Sequence, residues 1–219
     1  MPDFLKRLLT LVLSTGFFGV AGLLVGGALA HAALQWLGIA MVLGFIYGGF
    51  AGGLLAYDLG SGLGWLELLV DLTWSLLNTL FGLVIGIPLY LIFGNPSKEQ
   101  SAGQAWISFK ARGTGAFGNQ VLQTLGTVNL GGAGQHERMH LLQARIFGPL
   151  YLPLFAANYV VTFLIQVLWT ATIGLILWKA GVRTTPYFQP SASSAVSGFF
   201  GWIYHSTFFE LWAYASGNP

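Results

Sequence analysis

Two long stretches without a charged side chain restrict the possible folds of this sequence more than any other feature. They run from Leu8 to Ala30 and from Ala32 to Tyr57. A hydrocarbon core about 30 Å thick is crossed by roughly 20 helical residues, so each stretch is long enough to span a membrane. The first stretch also exceeds the apolar core of a signal peptide, roughly 7–15 residues, and we expect it to be retained as a helix.

The composition points to the same class of protein. The chain has 219 residues, of which 55% are hydrophobic and only 7% are charged, whereas soluble domains carry about 25% charged residues. We therefore predict an all-α integral membrane protein whose main partner is the lipid bilayer. About five transmembrane or re-entrant helices are predicted, near residues 8–30, 34–57, 66–93, 150–178 and 192–212. The small net charge of +2 comes without a basic block, which argues against nucleic acid as a partner.

The sequence divides into four predicted parts. A glycine-rich transmembrane hairpin is followed by a third membrane helix, a polar extramembrane segment and the C-terminal membrane helices. These parts are assigned to residues 1–62, 63–94, 95–148 and 149–219. The third helix carries Glu67 and Asp71 near its start, and both acids are predicted to be solvated at the membrane interface. The polar segment is predicted to contain a short extended stretch before a helix over residues 135–146.

Glycines recur at intervals of four in the first two predicted helices. This spacing puts them on one face of each helix, where the absence of a side chain allows two backbones to approach closely. The pattern predicts a glycine-zipper hairpin, and the glycines at its contact are Gly22, Gly26, Gly44, Gly48 and Gly52.

The polar segment contains the motif with the clearest chemical meaning, His136-Glu137-x-x-His140. On a helix the two histidines lie one turn apart on one face, so both imidazoles can reach the same metal ion. The glutamate beside the first histidine is placed to activate a water. The pattern predicts a zinc site with Glu137 as catalytic base. It is also compatible with two polar anchors, or with one histidine contacting a pigment or haem.

A wider sequence pattern strengthens the zinc hypothesis. The stretches "HERMHLLQ" and "GPLYLP" within residues 136–153, followed by "FFELWAYASG" at 208–217, carry an HExxH…GPLYLP…ExWA signature. The chain thus resembles uncharacterised bacterial integral membrane proteins that are distantly similar to membrane-embedded gluzincin metallopeptidases of the CAAX-prenyl-protease type. The resemblance implies that His136, His140 and Glu210 are zinc ligands and that Glu137 is the general base. It also implies a bacterial inner membrane as the location.

The chain departs from the peptidase pattern at two positions. Tyr214 stands where the peptidases have an aspartate that supports a ligand, and Met139 stands where they commonly have glycine. Partners of metal ligands affect metal affinity, so the protein is predicted to be either an active metallopeptidase or a catalytically degenerate relative. His205 and Arg145 are secondary candidates for stabilising developing charge.

A second class of function fits the same sequence. Glycine faces and a 15% content of aromatic residues are compatible with a non-catalytic accessory subunit of a larger membrane complex, of respiratory or photosynthetic type. In that protein the two motif histidines would be polar anchors, and His31 or His205 would contact a pigment or haem. The zinc hypothesis makes one topological demand that separates the two. Glu210 reaches the membrane side of His136 only through a fifth crossing or a re-entrant fourth segment.

Overall fold

The computed structural model describes residues 1–29, 32–112, 123–132, 134–180 and 195–216. The chain folds into two compact units, Met1–Pro149 and Leu150–Pro219. In the first unit the helices are α1 Asp3–Leu29, α2 Ala33–Gly53, α3 Gly62–Leu72, α4 Leu76–Phe81, α5 Ile87–Phe93, α6 Lys98–Ser101 and α7 Gln135–Phe147. In the second unit they are α8 Tyr151–Trp169, α9 Leu175–Lys179, α10 Ala195–His205 and α11 Phe208–Ser216.

The prediction of an all-α fold was wrong for the polar segment, because this segment contains most of a small sheet. Its strands are β1 Gly94–Pro96, β2 Ile107–Ala111, β3 Gln123–Leu125 and β4 Val128–Leu130, in the order β1-β2-β4-β3. The central pair β2 and β4 is parallel, and both outer pairs are antiparallel. Buried and exposed residues hardly alternate along the central strands because both faces of these strands are covered, as is typical of parallel strands. The extended stretch predicted before the motif helix is confirmed by the β3–β4 hairpin.

Four helical segments within the described residues are long and apolar enough to cross a membrane, by length and composition. They are Asp3–Leu29, Ala33–Gly53, Leu76–Phe93 and Gln135–Ile173. The fifth predicted segment, 192–212, falls partly outside the described residues. Its described part forms α10 and α11, separated by a turn at Ser206 and Thr207. The described residues of α10, 11 in number, rise about 17 Å.

Helices α1 and α2 form a tightly packed hairpin. A Cβ atom placed on Gly44 would lie 2.5 Å from the Ser14 carbonyl oxygen, and one on Gly48 would lie 2.8 Å from the Leu11 Cα. On the other helix, a Cβ on Gly22 would meet Ala40 at 2.4 Å. Gly26 and Gly52 are equally close to the opposite helix, where they face Trp36 and Arg7. Glycine is therefore required along this contact because the two backbones leave no room for a side chain.

The third predicted membrane segment is not one continuous helix. Helix α3 ends at Leu72, the chain turns through residues 73–75, and α4 begins at Leu76. A π-helical stretch, Gly82–Gly86, then separates α4 from α5. Gly82 and Gly86 lie against the β3–β4 hairpin, since Cβ atoms there would lie 2.6 Å from the Leu125 carbonyl oxygen and 3.2 Å from the Val128 Cβ. The π-helical stretch thus marks the place where this segment packs on the sheet.

The second unit is held together by aromatic side chains and one backbone cap. The ring of Phe155 on α8 lies 5.7 Å from Tyr151, 4.8 Å from Tyr159 and 5.9 Å from Phe209 of α11, measured between ring centroids. The Phe208 backbone amide, at the start of α11, donates a 2.6 Å hydrogen bond to the Asn158 side-chain oxygen. These contacts fix α11, and therefore Glu210, against α8.

Candidate metal centre

The motif histidines lie on one buried face of α7, as the spacing predicted. His136 and His140 are 4% and 8% exposed, and their Nε2 atoms are 3.1 Å apart. The two rings are nearly perpendicular, with an interplanar angle of 84°. The two Nε2 atoms are thus within hydrogen-bond distance of each other, and they are close enough to bind one metal ion.

The nitrogen separation can be compared with zinc geometry. Zinc–nitrogen bonds of about 2.0–2.1 Å at a tetrahedral angle place two ligand nitrogens roughly 3.3 Å apart. The observed 3.1 Å is close to this value. The same separation is also that of an N–H···N hydrogen bond between the two rings.

Gln143 is a part of this site that the sequence analysis did not single out. It lies one turn after His140 on α7, is fully buried, and its Oε1 is 3.0 Å from His140 Nδ1. Metal-binding histidines usually hydrogen-bond through the ring nitrogen that does not bind the metal. The signal in the sequence was the glutamine three residues after the second motif histidine, but a glutamine alone carries no metal-site meaning.

Glu137, the predicted general base, is buried beside the histidines. It is only 4% exposed, and its Oε2 atom has no hydrogen-bond partner among the residues that the structure describes. Buried carboxylate oxygens are normally hydrogen-bonded, so such an atom calls for a functional or structural explanation. An acceptor in this state is available to take a proton from a water held near the histidines.

The C-terminal end of α7 is fixed by side chains from the turn and helix that follow α3. Asn78 Nδ2 donates to the carbonyl oxygens of Ala144 at 3.2 Å and Gly148 at 2.8 Å, and Ser75 Oγ donates to Ala144 at 3.1 Å. The Ala144 carbonyl oxygen also accepts from the Gly148 backbone N–H, so the side-chain bonds reinforce the last turn of the helix, where carbonyl groups lack their usual partners. Gly148 has a φ of +54°, and a Cβ there would lie 2.3 Å from the Trp74 ring. Its glycine is therefore required by both conformation and space.

The prediction that Glu67 and Asp71 are solvated was wrong for Asp71, which is fully buried. Arg145 on α7 donates to both Asp71 oxygens, from Nε at 2.9 Å and from a terminal nitrogen at 2.7 Å. The other terminal nitrogen, Nη1, donates to Glu67 at 3.0 Å. The nitrogen that bonds Asp71, Nη2, also donates to the Ala105 carbonyl oxygen at 2.9 Å. Arg145 thus belongs to an ion-pair network that ties α7 to α3.

This network continues through two buried phenols. Tyr57 donates to Asp71 at 2.7 Å, and its hydroxyl lies 2.7 Å from that of Tyr47, which contacts Thr127 Oγ1 at 3.1 Å. Burial raises the pKa of Tyr57 well above its usual range, and the nearby Asp71 carboxylate adds to the effect. Tyr57 therefore stays protonated and able to donate. Burial also raises the pKa of Glu67, although the Arg145 guanidinium opposes this shift.

Arg138 lies on the exposed face of α7 and contacts residues other than the two histidines. Its guanidinium hydrogen-bonds the Gln104 side-chain oxygen and lies 5.5 Å from the centre of the Trp106 ring. Cation–π contacts of this kind favour a fixed position of the side chain. Arg138 therefore does not compete with the histidines for the buried side of the helix.

Glu210 lies in the first turn of α11 and is 2% exposed. Tyr159 on α8 and Tyr204 on α10 lie near its carboxylate. His205 instead packs between aromatic rings, with centroids 5.0 Å from Tyr204 and 5.2 Å from Tyr214.

Three of the predicted site residues are buried and carry atoms that can bind a metal ion. They are His136 and His140 on α7 and Glu210 on α11. Histidine nitrogens and carboxylate oxygens are common metal ligands. His31, suggested by the sequence as a contact for a pigment or haem, lies outside the described residues.

Comparison of the chain with models of known protein families, with curated proteins and with solved structures finds no match. The assignment of function therefore rests on the chemistry and geometry of the site.

Proposed function

We propose that this chain is a membrane-inserted, zinc-dependent hydrolase of the metallopeptidase type. The observations that support the proposal are the buried His136–His140 pair, whose ring nitrogens are 3.1 Å apart, and the buried carboxylate of Glu210. Two histidines and a carboxylate are a ligand set of catalytic zinc sites, which keep a further position open for water. The four apolar helical segments support insertion in a lipid bilayer.

The residues present fit zinc in donor type and burial. His136 and His140 would bind through Nε2, and Glu210 would bind through a carboxylate oxygen. The two histidine nitrogens are already 3.1 Å apart, and the Glu210 carboxylate supplies the third donor in this proposal. A bound zinc ion would supply an activated water and polarise the carbonyl group of a substrate.

Glu137 is the residue to which we assign proton transfer. Its buried carboxylate accepts a proton from the water that attacks the substrate, and it returns the proton to the leaving amine. Glu137 follows His136 directly on α7, and the bonds from Asn78 and Ser75 hold the C-terminal end of this helix. The general base and the two histidine ligands thus share one anchored element.

A first experiment measures metal content. The full-length chain is purified in detergent and its zinc is quantified by mass spectrometry, beside the variants His140→Ala and Glu210→Gln. We expect about one zinc ion per chain for the unmodified protein and a clear loss in both variants. His31→Ala, a histidine outside the motif, is the matched control and should keep the metal. Absence of zinc from the unmodified protein, after incubation with the ion and removal of excess, overturns the proposal.

A second experiment separates metal binding from catalysis. The purified chain is incubated with a library of internally quenched peptides, with and without a chelator. Glu137→Gln should retain zinc and lose chelator-sensitive hydrolysis by a factor on the order of 10²–10⁴, the usual contribution of a general base. A zinc-loaded protein that cleaves none of the peptides would overturn the catalytic part and leave a metal-binding protein, as expected for an accessory subunit.

A further inference from the structure

We propose that Gln143 is a positioning residue that holds His140 in the tautomer with its proton on Nδ1, so that the Nε2 lone pair faces the metal position. The inference deepens the proposed function and rests on it. It assigns a role to a residue that carries no signal in the HExxH motif. The expected tautomer of His140 is a property of the protein before any metal binds.

The contact between the two residues is buried and local. Gln143 is fully buried and His140 is 8% exposed, so water does not compete for their hydrogen bond. The Oε1···Nδ1 distance is 3.0 Å, within the normal range for such a bond. Both residues belong to α7, three positions apart, so the spacing is set by the helix itself and does not depend on the packing of another element.

The amide oxygen decides where the imidazole proton resides. An oxygen can only accept a hydrogen bond, so Nδ1 must carry the proton that makes the contact. A neutral imidazole has one N–H, and Nε2 is then left with a lone pair. This lone pair points toward the Nε2 of His136, which is 3.1 Å away. The glutamine therefore prepares His140 as a ligand.

The opposite orientation of the same amide would prevent metal binding. If the NH₂ group of Gln143 faced His140, it would donate to Nδ1 and the ring proton would move to Nε2. A proton on Nε2 would occupy the place of the metal. The role of Gln143 is thus to exclude the wrong tautomer, and a methionine of similar size and shape cannot do this because it has no strong acceptor.

The first test needs no metal. The chain has four histidines, so protein with ¹⁵N-labelled histidine gives a simple two-bond ¹⁵N–¹H spectrum, assigned with His140→Asn. We expect metal-free His140 to be in the Nδ1–H tautomer in the unmodified protein and in Gln143→Glu, which keeps an acceptor oxygen. In Gln143→Met we expect a mixture of tautomers. Gln135→Met, an exposed glutamine of the same helix, is the control and should leave the spectrum unchanged.

The second test measures zinc affinity by competition with a chromophoric chelator. Loss of such a partner typically lowers metal affinity 10–100-fold, so Gln143→Met should bind zinc about 10–100 times more weakly. Gln143→Glu should stay close to the unmodified protein or bind more tightly. His140 in the Nε2–H form in the unmodified protein, or an unchanged tautomer in folded Gln143→Met, would overturn the inference. Failure of the unmodified protein to bind zinc would contradict the proposed function instead, because the tautomer is read without metal.

Discussion

At the scale of single residues, the Asp71–Arg145 pair has the largest expected effect on stability. Asp71 is fully buried and receives three hydrogen bonds, two from Arg145 and one from Tyr57. Taking two charges out of water is costly, and the cost is balanced only while both partners are present and fully hydrogen-bonded. Such a pair contributes less to net stability than to specificity, since removing one partner exposes the whole desolvation cost of the other.

The first prediction follows from this asymmetry. Asp71→Asn should lower the free energy of unfolding by about 3–5 kcal/mol, because it leaves the buried Arg145 guanidinium with only Glu67 as a charged partner. The measurement is thermal or denaturant unfolding of the full chain in detergent. The control is Asp58→Asn, which removes the more exposed 2.6 Å pair with Lys6 and should change stability much less. Equal losses of unfolding free energy in the two variants would show that burial of the ion pair does not determine its effect on stability.

At the scale of elements, two contacts define the first unit. Helix α7 is fixed at its C-terminal end by the turn and helix that follow α3, and it packs against the edge strand β3. The α1–α2 hairpin is fixed by glycines that leave no space for a side chain. In both cases a small residue at one position permits the approach of another element. A Cβ on other glycines of these helices, such as Gly38 or Gly49, would meet nothing within 4 Å, and this difference can be tested.

The second prediction compares two glycines of α2. A Cβ on Gly44 would lie 2.5 Å from the Ser14 carbonyl oxygen, whereas one on Gly49 meets nothing within 4 Å. Gly44→Ala should therefore destabilise the chain by about 1–3 kcal/mol through overpacking. Gly49→Ala should be neutral or stabilising by about 0.5–1 kcal/mol, because alanine is the better helix former. Unfolding of both variants in detergent checks this, and a similar loss in Gly49→Ala would contradict it.

At the scale of the whole molecule, the structure of the first unit predicts which of its parts lie on the same side of the membrane. Helix α1 has 27 residues, or about 40 Å, which exceeds a hydrocarbon core of about 30 Å. Its N-terminal end lies beside the sheet region, since Asp3 and Lys98 approach to 3.7 Å. The irregular backbone of the polar segment cannot be placed in lipid without losing hydrogen bonds. We therefore expect the start of α1 and the sheet on one side, and the start of α2 on the other.

The third prediction uses the absence of cysteine from the sequence. Single cysteines are introduced at three exposed positions: Phe4 in α1, Lys110 in β2 and Gln35 at the start of α2. In sealed vesicles of one orientation, a membrane-impermeant maleimide should give the same result, labelled or unlabelled, for the variants at residues 4 and 110. The variant at residue 35 should give the opposite result. Labelling after detergent permeabilisation controls for reactivity. Equal labelling at residues 110 and 35 in intact vesicles would contradict the arrangement.

The sequence by itself determined the helical, apolar character of the chain and the histidine face of α7. Both follow from local periodicity, because residues four apart lie on one side of a helix whatever surrounds them. The glycine intervals likewise marked positions where Cβ atoms are not tolerated, as at Gly44. The motif identified His136 and His140 for the same reason, since their convergence requires only one turn of helix.

Only the tertiary structure decided the partners of these residues. The four strands are too short for a clear pattern, and their pairing joins segments far apart in sequence. Asp71 is buried because Arg145, 74 positions away, folds onto it, and nothing local distinguishes it from a solvated acid. The role of Gln143 depends on the hydrogen bond between its side-chain oxygen and His140 Nδ1. Burial and hydrogen bonding depend on what surrounds a side chain, so they could be known only once the elements had packed.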